Sequence, residues 1–303
     1  MSAAKPFSAG DLASAAVVVV VWGLNFVVVK VGLRDFTPFQ LGAARFFFAF
    51  FPLVFWIRPP RIGAGPLVAY GLLQGVGQFG CLFLALKVGM SAALAPVMMQ
   101  TQVFATAVLA AVLLGERLGR PLLIGLALAA GGLACFAANA WLAGGAGVVT
   151  LAGLALNLMA AIHWAGSNIL VRRLQMRGVR YDALSLLVWA GGVSALGFLL
   201  LSFAFDPPGA HRAWTNASLA GWATVAYLAW GANLLGYWLW TRLLSRHAAS
   251  RVSPLTLGMP LIGLAAGILL LGEEVTPWQW AGAALVMSAL GFVLRAGARS
   301  RRE

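Results

Sequence analysis

The residues of this 303-residue chain that could do chemistry are the few polar side chains inside its long apolar segments. Such a group costs free energy in hydrocarbon unless it has a polar partner or meets water. In one segment two glycines and two glutamines recur on one helical face: Gly71, Gln74, Gly75 and Gln78. This face suits either close helix packing or the wall of a wet cavity, and both interpretations stay open.

Three other apolar segments carry amides and aromatic side chains at helical spacing. Asn233 lies at mid-depth between Trp230 and Tyr237, which predicts a face towards a cavity. Trp240 follows on that face and is assigned to the aromatic belt at the membrane interface. The complete set of candidate substrate-binding residues is Trp22, Asn25, Arg45, Gln74, Gln78, Gln100, Gln102, His163, Trp164, Asn168, Asn233, Tyr237 and Met259.

Arg45 and His163 are the two ionisable side chains in the interior of apolar segments. An arginine at the centre of a span costs about 2.5–3.5 kcal/mol on insertion scales. Arg45 is therefore either a structural residue bonded to carbonyl groups or the binder of a substrate carboxylate. His163 could take up a proton near neutral pH, but a lone histidine is more often a hydrogen-bonded packing residue.

All eight carboxylates lie at segment ends or in loops, so we expect no buried acid to carry protons. This distribution favours downhill facilitated efflux over proton antiport. The three histidines lie far apart in sequence, and no metal-ligand spacing or glycine-rich phosphate loop is found. The sequence thus predicts no catalytic residue, metal or cofactor, and a membrane enzyme is a remote alternative.

The composition predicts a membrane protein. Hydrophobic residues make up 61% of the chain and charged residues 10%, against about 45–50% and about 25% in soluble domains. About 20 apolar residues cross a bilayer core, and ten such segments are predicted: 11–31, 38–57, 66–86, 92–114, 121–141, 148–170, 182–204, 217–241, 252–271 and 277–295. We therefore expect an all-α membrane protein with ten transmembrane helices.

Membrane topology also explains the basic charge of the chain. The net charge of +13 could suggest a nucleic-acid partner, but no basic patch with interleaved aromatic residues lies outside the segments. With the N-terminus inside, sixteen Lys and Arg residues lie on the cytoplasmic side and four on the other. The positive-inside rule then predicts that both termini are cytoplasmic.

Short motifs recur in the two halves of the chain, at offsets of 157 or 142 residues: Gly115-Glu116 with Gly272-Glu273, Ala69-Tyr70 with Ala226-Tyr227, Trp22 with Trp164 and Lys30 with Arg172. The halves are residues 1–145 and 146–303, with five predicted spans each. Because five is odd, the second half must be inverted relative to the first. An inverted repeat around a midplane site is typical of secondary transporters. Pro96, Pro254 and Pro260 are the candidate gating residues in helices four and nine.

Several of these motifs together resemble one family: Trp22-Gly23-Leu24-Asn25-Phe26, Ala44-Arg45-Phe46, Trp164-Ala165-Gly166-Ser167-Asn168, and the twin Leu114-Gly115-Glu116 and Leu271-Gly272-Glu273. They are similar to the EamA family of the drug/metabolite transporter superfamily, and within it to bacterial amino-acid and metabolite exporters. The resemblance implies a ten-helix carrier of the bacterial inner membrane that moves amino acids or related metabolites outwards.

The sequence therefore predicts an alternating-access exporter of small neutral, cysteine-pathway or aromatic amino acids. Its expected partners are a small-molecule substrate and the lipid bilayer. The alternative is an exporter of drugs and other hydrophobic solutes from the same superfamily, which the aromatic residues leave open. The oligomeric state does not follow from the sequence, and a monomer is compatible with it.

Overall fold

Helices make up most of the described part of the molecule. The computed structural model describes residues 7–116, 118–142, 149–247 and 249–299, without the side chains of residues 249, 250, 253, 254 and 297–299. Within these ranges there is no β-strand. The first half contains α1 (Ala9–Gly32), α2 (Pro38–Phe50), a 3-10 turn (Leu53–Phe55), α3 (Ala64–Tyr70), a first π segment (Gly71–Phe79), α4 (Gly80–Lys87), α5 (Ala95–Met99), α6 (Gln102–Leu114) and α7 (Arg120–Leu142).

The second half has a similar order of elements. It contains α8 (Leu151–Met176), α9 (Ala183–Phe205), a 3-10 turn (Ala210–Arg212), α10 (Ala213–Asn216), α11 (Leu219–Ala226), a second π segment (Tyr227–Leu235), α12 (Gly236–Arg246), α13 (Ala249–Val252), a 3-10 turn (Ser253–Leu257), α14 (Gly258–Leu271) and α15 (Pro277–Arg299).

Among the described residues, eight helices are long and apolar enough to cross a membrane: Ala9–Gly32, Pro38–Phe55, Ala64–Lys87, Ala95–Leu114, Arg120–Leu142, Leu151–Met176, Ala183–Phe205 and Pro277–Ala296. They coincide with eight of the ten predicted segments. A ninth apolar helix, Leu255–Leu271, is shorter. The remaining predicted segment is 217–241, which α11, the second π segment and α12 cover as one continuous helical run. This run is not among the eight long apolar helices.

Local sequence signals explain where several helices begin and end. Thr37 caps α2: its hydroxyl accepts from the backbone N–H of Gln40, and the Gln40 side chain accepts from the backbone N–H of Thr37. Gly115 and Gly272 end α6 and α14 in the left-handed conformation, with φ of 70° and 65°, which glycine adopts without steric cost. The repeated Gly-Glu motif is therefore a helix stop in both halves.

The two π segments begin 156 residues apart, at corresponding places in the two halves. A π turn is wider than an α turn and often occurs at functional sites. In the first π segment the glycines contact α9, because a Cβ atom on Gly71 would meet Val193 and one on Gly75 would meet Ser194. The glutamines of the same segment line a central cavity. The two glycines of this stripe therefore pack against a helix, and its two glutamines lie in a cavity wall.

The bundle has two ends that can be told apart by their glutamates. Helix α8 begins beside Met90, whose backbone N–H lies 2.7 Å from the place of a Cβ atom on Gly153. Its other end carries Arg172, which pairs with Glu116. Met90 and Glu273 share Lys30 as a hydrogen-bond donor. We therefore call the two the Glu273 end and the Glu116 end.

Candidate functional site

A central cavity of about 530 Å³ lies between helices from both halves of the chain. Eleven of the thirteen candidate binding residues line it: Trp22, Asn25, Arg45, Gln74, Gln78, Gln100, Gln102, Trp164, Asn168, Tyr237 and Met259. Its wall is thus made of amides, aromatic rings and one cation. Within the described chain no Asp or Glu lines this cavity.

The sequence analysis did not select several further lining residues: Phe26, Tyr70, Phe79, Leu82, Met99, Val103, Trp240, Thr256, Leu257, Leu290 and Leu294. Most are aromatic or aliphatic, and in a span such side chains usually face lipid or core. Trp240, which we assigned to the interfacial belt, lines the cavity, 5.8 Å between ring centroids from Trp22. Tyr70 could have been selected from the sequence, because it belongs to the repeated Ala-Tyr motif.

Asn233 and His163 do not line the cavity. Asn233 is buried behind Arg45 and accepts a hydrogen bond from its Nη2 at 2.9 Å. The His163 Nδ1 lies 2.9 Å from the backbone oxygen of Met159, and the ring packs on Gly77. Asn233 therefore supports a cavity residue, and His163 lies between two helices.

This placement gives a prediction for His163. His163→Gln is expected to change the efflux rate less than twofold and to leave any dependence on a proton gradient unchanged, because the ring contacts Gly77 rather than the cavity. Efflux from proteoliposomes with equal pH on both sides, and again with an imposed pH difference across the membrane, measures both quantities. A lost response to the proton gradient in this variant would contradict the prediction.

Arg45 is the one charged side chain of the described cavity wall, and it is only 2% exposed. Its Nη1 donates to Asn25 Oδ1 at 3.1 Å and its Nη2 to Asn233 Oδ1 at 2.9 Å. The guanidinium carbon lies 4.0 Å from the centroid of the Phe79 ring, a cation–π contact. Its Nε–H has no partner. Two amide oxygens therefore hold the guanidinium and offset part of the cost of burying its charge. The Nε–H group remains without a hydrogen bond.

The other amides of the wall form short networks. Gln74 Oε1 accepts from Ser167 Oγ at 2.5 Å. Asn168 Nδ2 donates to Gln102 Oε1 at 3.1 Å and lies 3.3 Å from Thr106 Oγ1. By contrast, Gln78 Oε1 is buried without a partner. An unpaired buried acceptor costs about 1–3 kcal/mol, so Gln78 carries an uncompensated cost in this conformation.

Helix α1 is joined to the second π segment by two hydrogen bonds. The Trp22 indole N–H donates to the backbone oxygen of Ala232 at 2.9 Å, and the Tyr227 hydroxyl donates to that of Val21 at 2.7 Å. Tyr237 packs against Trp22 with ring centroids 5.0 Å apart. The second π segment therefore orients two aromatic residues of the cavity wall.

The three prolines with a predicted gating role have different environments. Pro96 of α5 lines the cavity and packs against Gly263 of α14. Pro260 lies buried near the start of α14 and outside the cavity wall. Pro254 belongs to the 3-10 turn before α14, and its side chain lies outside the described residues. The short helical pieces Ala95–Met99 and Ser253–Leu257 precede the helices α6 and α14, and a gating role for the three prolines stays a prediction.

An ion pair between a partly exposed lysine and a buried glutamate lies at the Glu273 end. Lys30 Nζ lies 2.7 Å from Glu273 Oε1. The same carboxylate accepts from the Ser91 hydroxyl at 2.6 Å and from the backbone N–H groups of Ala92 and Ala93 at 3.0 and 2.8 Å. Burial raises the pKa of the Glu273 carboxyl and these hydrogen bonds lower it, and the net pKa lies below the usual value. The carboxylate is thus charged and fully used at neutral pH.

The Glu116 end has the matching pair in a looser form. Arg172 Nη2 lies 2.7 Å from Glu116 Oε1, and the two side chains are 54% and 36% exposed. A groove of about 640 Å³ runs along α6 and α8 to Arg172 and shares Gln102 and Asn168 with the central cavity. The cavity therefore adjoins a groove towards the Glu116 end, whereas Met90, Ala92 and Leu94 at the other end have no exposed surface.

Comparisons with known proteins agree with this architecture. A protein of Salmonella typhimurium named "Probable amino-acid metabolite efflux pump" is 40% identical over 293 residues, covering 94% of this chain and 96% of the relative. A protein of Escherichia coli with the same name is 37% identical over 277 residues, with 91% and 92% covered. A "Probable terminal-alkyne amino-acid exporter" of Streptantibioticus cattleyicolor is 26% identical, with 94% and 93% covered.

One solved crystal structure shares the fold, with a TM-score of 0.58, 18% identity, and 98% of this chain and 99% of that chain covered. The profile of the EamA-like transporter family matches twice, at residues 10–138 and 151–295. The family and the names of the relatives point to a multi-pass membrane transporter with a small-molecule substrate rather than to an enzyme. This chain belongs to the EamA-like transporter family.

Proposed function

We propose that this protein exports amino acids and related metabolites, either small neutral, cysteine-pathway or aromatic ones, across the bacterial inner membrane by alternating access. The observation that carries the proposal is the cavity between the two halves, which is sealed at the Glu273 end and adjoins a groove towards the Glu116 end. The names of the relatives at 37–40% identity support the class of substrate.

The proposed architecture is a pair of inverted five-helix repeats, residues 1–145 and 146–303, that together form ten transmembrane helices. Two family matches support it, as do the corresponding π segments and the two left-handed glycine caps. With both termini in the cytoplasm, the Glu116 end faces the cytoplasm and the Glu273 end faces outwards. The cavity is then accessible from inside the cell, as an exporter requires when it loads its substrate.

In the proposed transport cycle, the solute enters along the groove and binds in the cavity between Arg45, Gln78 and the aromatic wall. The Glu116 end then closes, and the Glu273 end opens as its ion pair separates. The described cavity wall offers no carboxylate as a proton carrier. Facilitated efflux down the concentration gradient is therefore the proposed mode of transport.

A second candidate function is the export of drugs and other hydrophobic solutes. It is favoured by the aromatic side chains of Trp22, Trp164, Tyr237 and Trp240, which all line the cavity. Such a carrier would bind cations or neutral molecules through ring faces. The buried Arg45 argues against cationic drugs, because it would repel them.

The test is efflux from proteoliposomes that are preloaded with amino acids at equal concentrations, first without an ion gradient. We expect a subset of these amino acids to leave the proteoliposomes faster than they leave liposomes without the protein. Release only with a proton gradient would keep the substrate class and change the mechanism to antiport. If no amino acid leaves in either condition while a hydrophobic dye does, the second candidate function would replace the first.

A further inference from the structure

A separate pocket of about 310 Å³ lies at the Glu273 end, and none of its described lining residues belongs to the central cavity. The lining consists of three basic side chains, one carboxylate and three leucines: Lys30, Arg34, Lys87, Glu273, Leu33, Leu86 and Leu271. Basic residues are disfavoured on the non-cytoplasmic side of a membrane protein. The sequence assigns four to that side, and only Arg212 lies outside this pocket. The concentration of the other three in one place therefore requires a reason.

The ends of two helices bring these basic groups together. Lys30 lies in the last turn of α1, and Arg34 follows Leu33, the residue that caps this helix. Lys87 is the last residue of α4, and its Nζ donates to the backbone oxygen of Leu33 at 3.0 Å. This hydrogen bond holds Lys87 against the end of α1, beside the residue that precedes Arg34.

The carboxylate of the pocket compensates only one of the three positive charges. Glu273 pairs with Lys30 and also accepts from a serine hydroxyl and two backbone N–H groups, so both of its oxygens are occupied. Neither Arg34 nor Lys87 forms an ion pair with a carboxylate of the described chain. Both side chains are exposed. Two basic groups are thus open to an anion whose oxygens can accept charge-assisted hydrogen bonds.

The position of the pocket favours an anion that belongs to the membrane. Lys30, Lys87 and Leu271 lie at the ends of three apolar helices, at the level where lipid headgroups border the hydrocarbon core. Clustered basic residues at this level attract anionic lipids. Two neighbours in sequence, Val88 and Leu270, are apolar and 41% and 65% exposed. An apolar surface for acyl chains therefore adjoins the basic pocket.

We infer that this pocket binds the phosphate group of an anionic phospholipid. Arg34 and Lys87 donate to the phosphate oxygens, while Lys30 adds its charge and keeps its pair with Glu273. A zwitterionic lipid gains less, because its own cationic group offsets the phosphate charge. The pocket is distinct from the central cavity, so the inference does not depend on which solute the protein exports.

The first experiment titrates the full-length protein in detergent with phosphatidylglycerol or with phosphatidylcholine of the same acyl chains. A ligand that binds the folded state raises the melting temperature. Phosphatidylglycerol is expected to raise it by several degrees, and phosphatidylcholine or inorganic phosphate by less than one third of that shift. Equal shifts with the two lipids would overturn the inference. A shift with inorganic phosphate as large as that with phosphatidylglycerol would overturn the lipid assignment in favour of a site for soluble anions.

Variants locate the binding site. The double variant Arg34→Gln/Lys87→Gln is expected to raise the Kd for phosphatidylglycerol about 30-fold, or about fivefold for each basic residue at a membrane surface. Arg34→Gln alone should raise it about fivefold. Arg212→Gln removes the fourth basic residue of the same side and is the matched control, so its Kd should equal that of the wild type. An equal loss of affinity in Arg212→Gln and Arg34→Gln would show an effect of general surface charge and overturn the inference.

The readout is the change that lipid causes in each variant, because Lys87→Gln also removes the hydrogen bond to Leu33. If the double variant does not fold, Arg34→Gln decides the matter, since the Arg34 side chain has no hydrogen bond to another described residue. Native mass spectrometry gives an independent measure. The wild type and Arg212→Gln should each retain one more phosphatidylglycerol molecule than the double variant, and equal numbers in all three would contradict a site in this pocket.

Discussion

Glu273→Gln is expected to slow efflux at least tenfold and to open the Glu273 end of the bundle. Glutamine has one acceptor oxygen, whereas the carboxylate accepts from Lys30, the Ser91 hydroxyl and two backbone N–H groups. The amide NH₂ would face donors, and each unpaired buried donor costs about 1–3 kcal/mol. A net loss of about 2 kcal/mol shifts the equilibrium between closed and open forms roughly 30-fold.

The ion pair at the Glu116 end supplies the matched control for this variant. Glu116→Gln changes the corresponding residue of the other half, where the ion pair with Arg172 is exposed and worth at most about 1 kcal/mol. Its efflux rate is expected to stay within threefold of the wild type.

The opening itself is measured with a cysteine at the closed end. Met90→Cys, with Cys81 and Cys135 replaced by serine, is expected to resist a polar maleimide, because Met90 has no exposed surface. The added Glu273→Gln change should make it reactive. The variant that carries both Met90→Cys and Glu273→Gln decides the matter. If it transports at the wild-type rate and its cysteine stays unreactive, the Glu273 carboxylate does not hold this end closed.

The second large effect is expected from Gly267→Ala, which should reduce efflux at least fivefold and lower the melting temperature by a few degrees. A Cβ atom at Gly267 would lie 2.5–2.6 Å from the Cβ, Cα and backbone nitrogen of Ala93. Two of these atoms are backbone and cannot rotate away, so α14 and the 91–94 segment must separate. Such overpacking costs about 1–3 kcal/mol, and it also displaces the N–H that Ala93 donates to Glu273.

Gly291→Ala is the control for this substitution. It makes the same change in an apolar helix, but no atom lies within 4 Å of the place of its Cβ. The variant should transport and melt like the wild type, or melt slightly higher because alanine favours the helix. If both variants behave like the wild type, the contact between Gly267 and Ala93 would be too soft to set the position of α14.

From the sequence it is easier to predict which types of residue line the cavity than which residues contact one another. Arg45 was conspicuous because a charge inside an apolar segment needs a reason, and it lines the cavity. The sequence also predicts Asn233 in the cavity wall, because it is a polar side chain inside an apolar segment. In the structure Asn233 lies behind Arg45 and accepts a hydrogen bond from it. Which of the two lines the cavity depends on the π turn that carries Asn233, whereas helical periodicity assumes α geometry. Trp240 was assigned to the interface because aromatic residues near span ends usually lie there.

Contacts between distant parts of the chain could not be predicted from the sequence. Lys30 and Glu273 were each located at the end of a segment, and they belong to motifs that recur in the two halves. Their pairing joins residues 243 apart in sequence and needs the bundle to be assembled. The segment 217–241 was correctly expected to be helical, but its mixture of aromatic and polar residues gives it a weaker hydropathy signal than the eight long helices.

The hydrogen bond from Arg45 to Asn233 also affects how the protein is made, because it joins residues 188 apart. A ribosome adds about 5–20 residues per second, so roughly 10–40 s pass between the synthesis of the two. During that interval the guanidinium in α2 has the Asn25 amide but lacks its second oxygen. Until the second half is synthesised, the Arg45 guanidinium therefore lacks one of the two amide oxygens that hold it in the folded bundle.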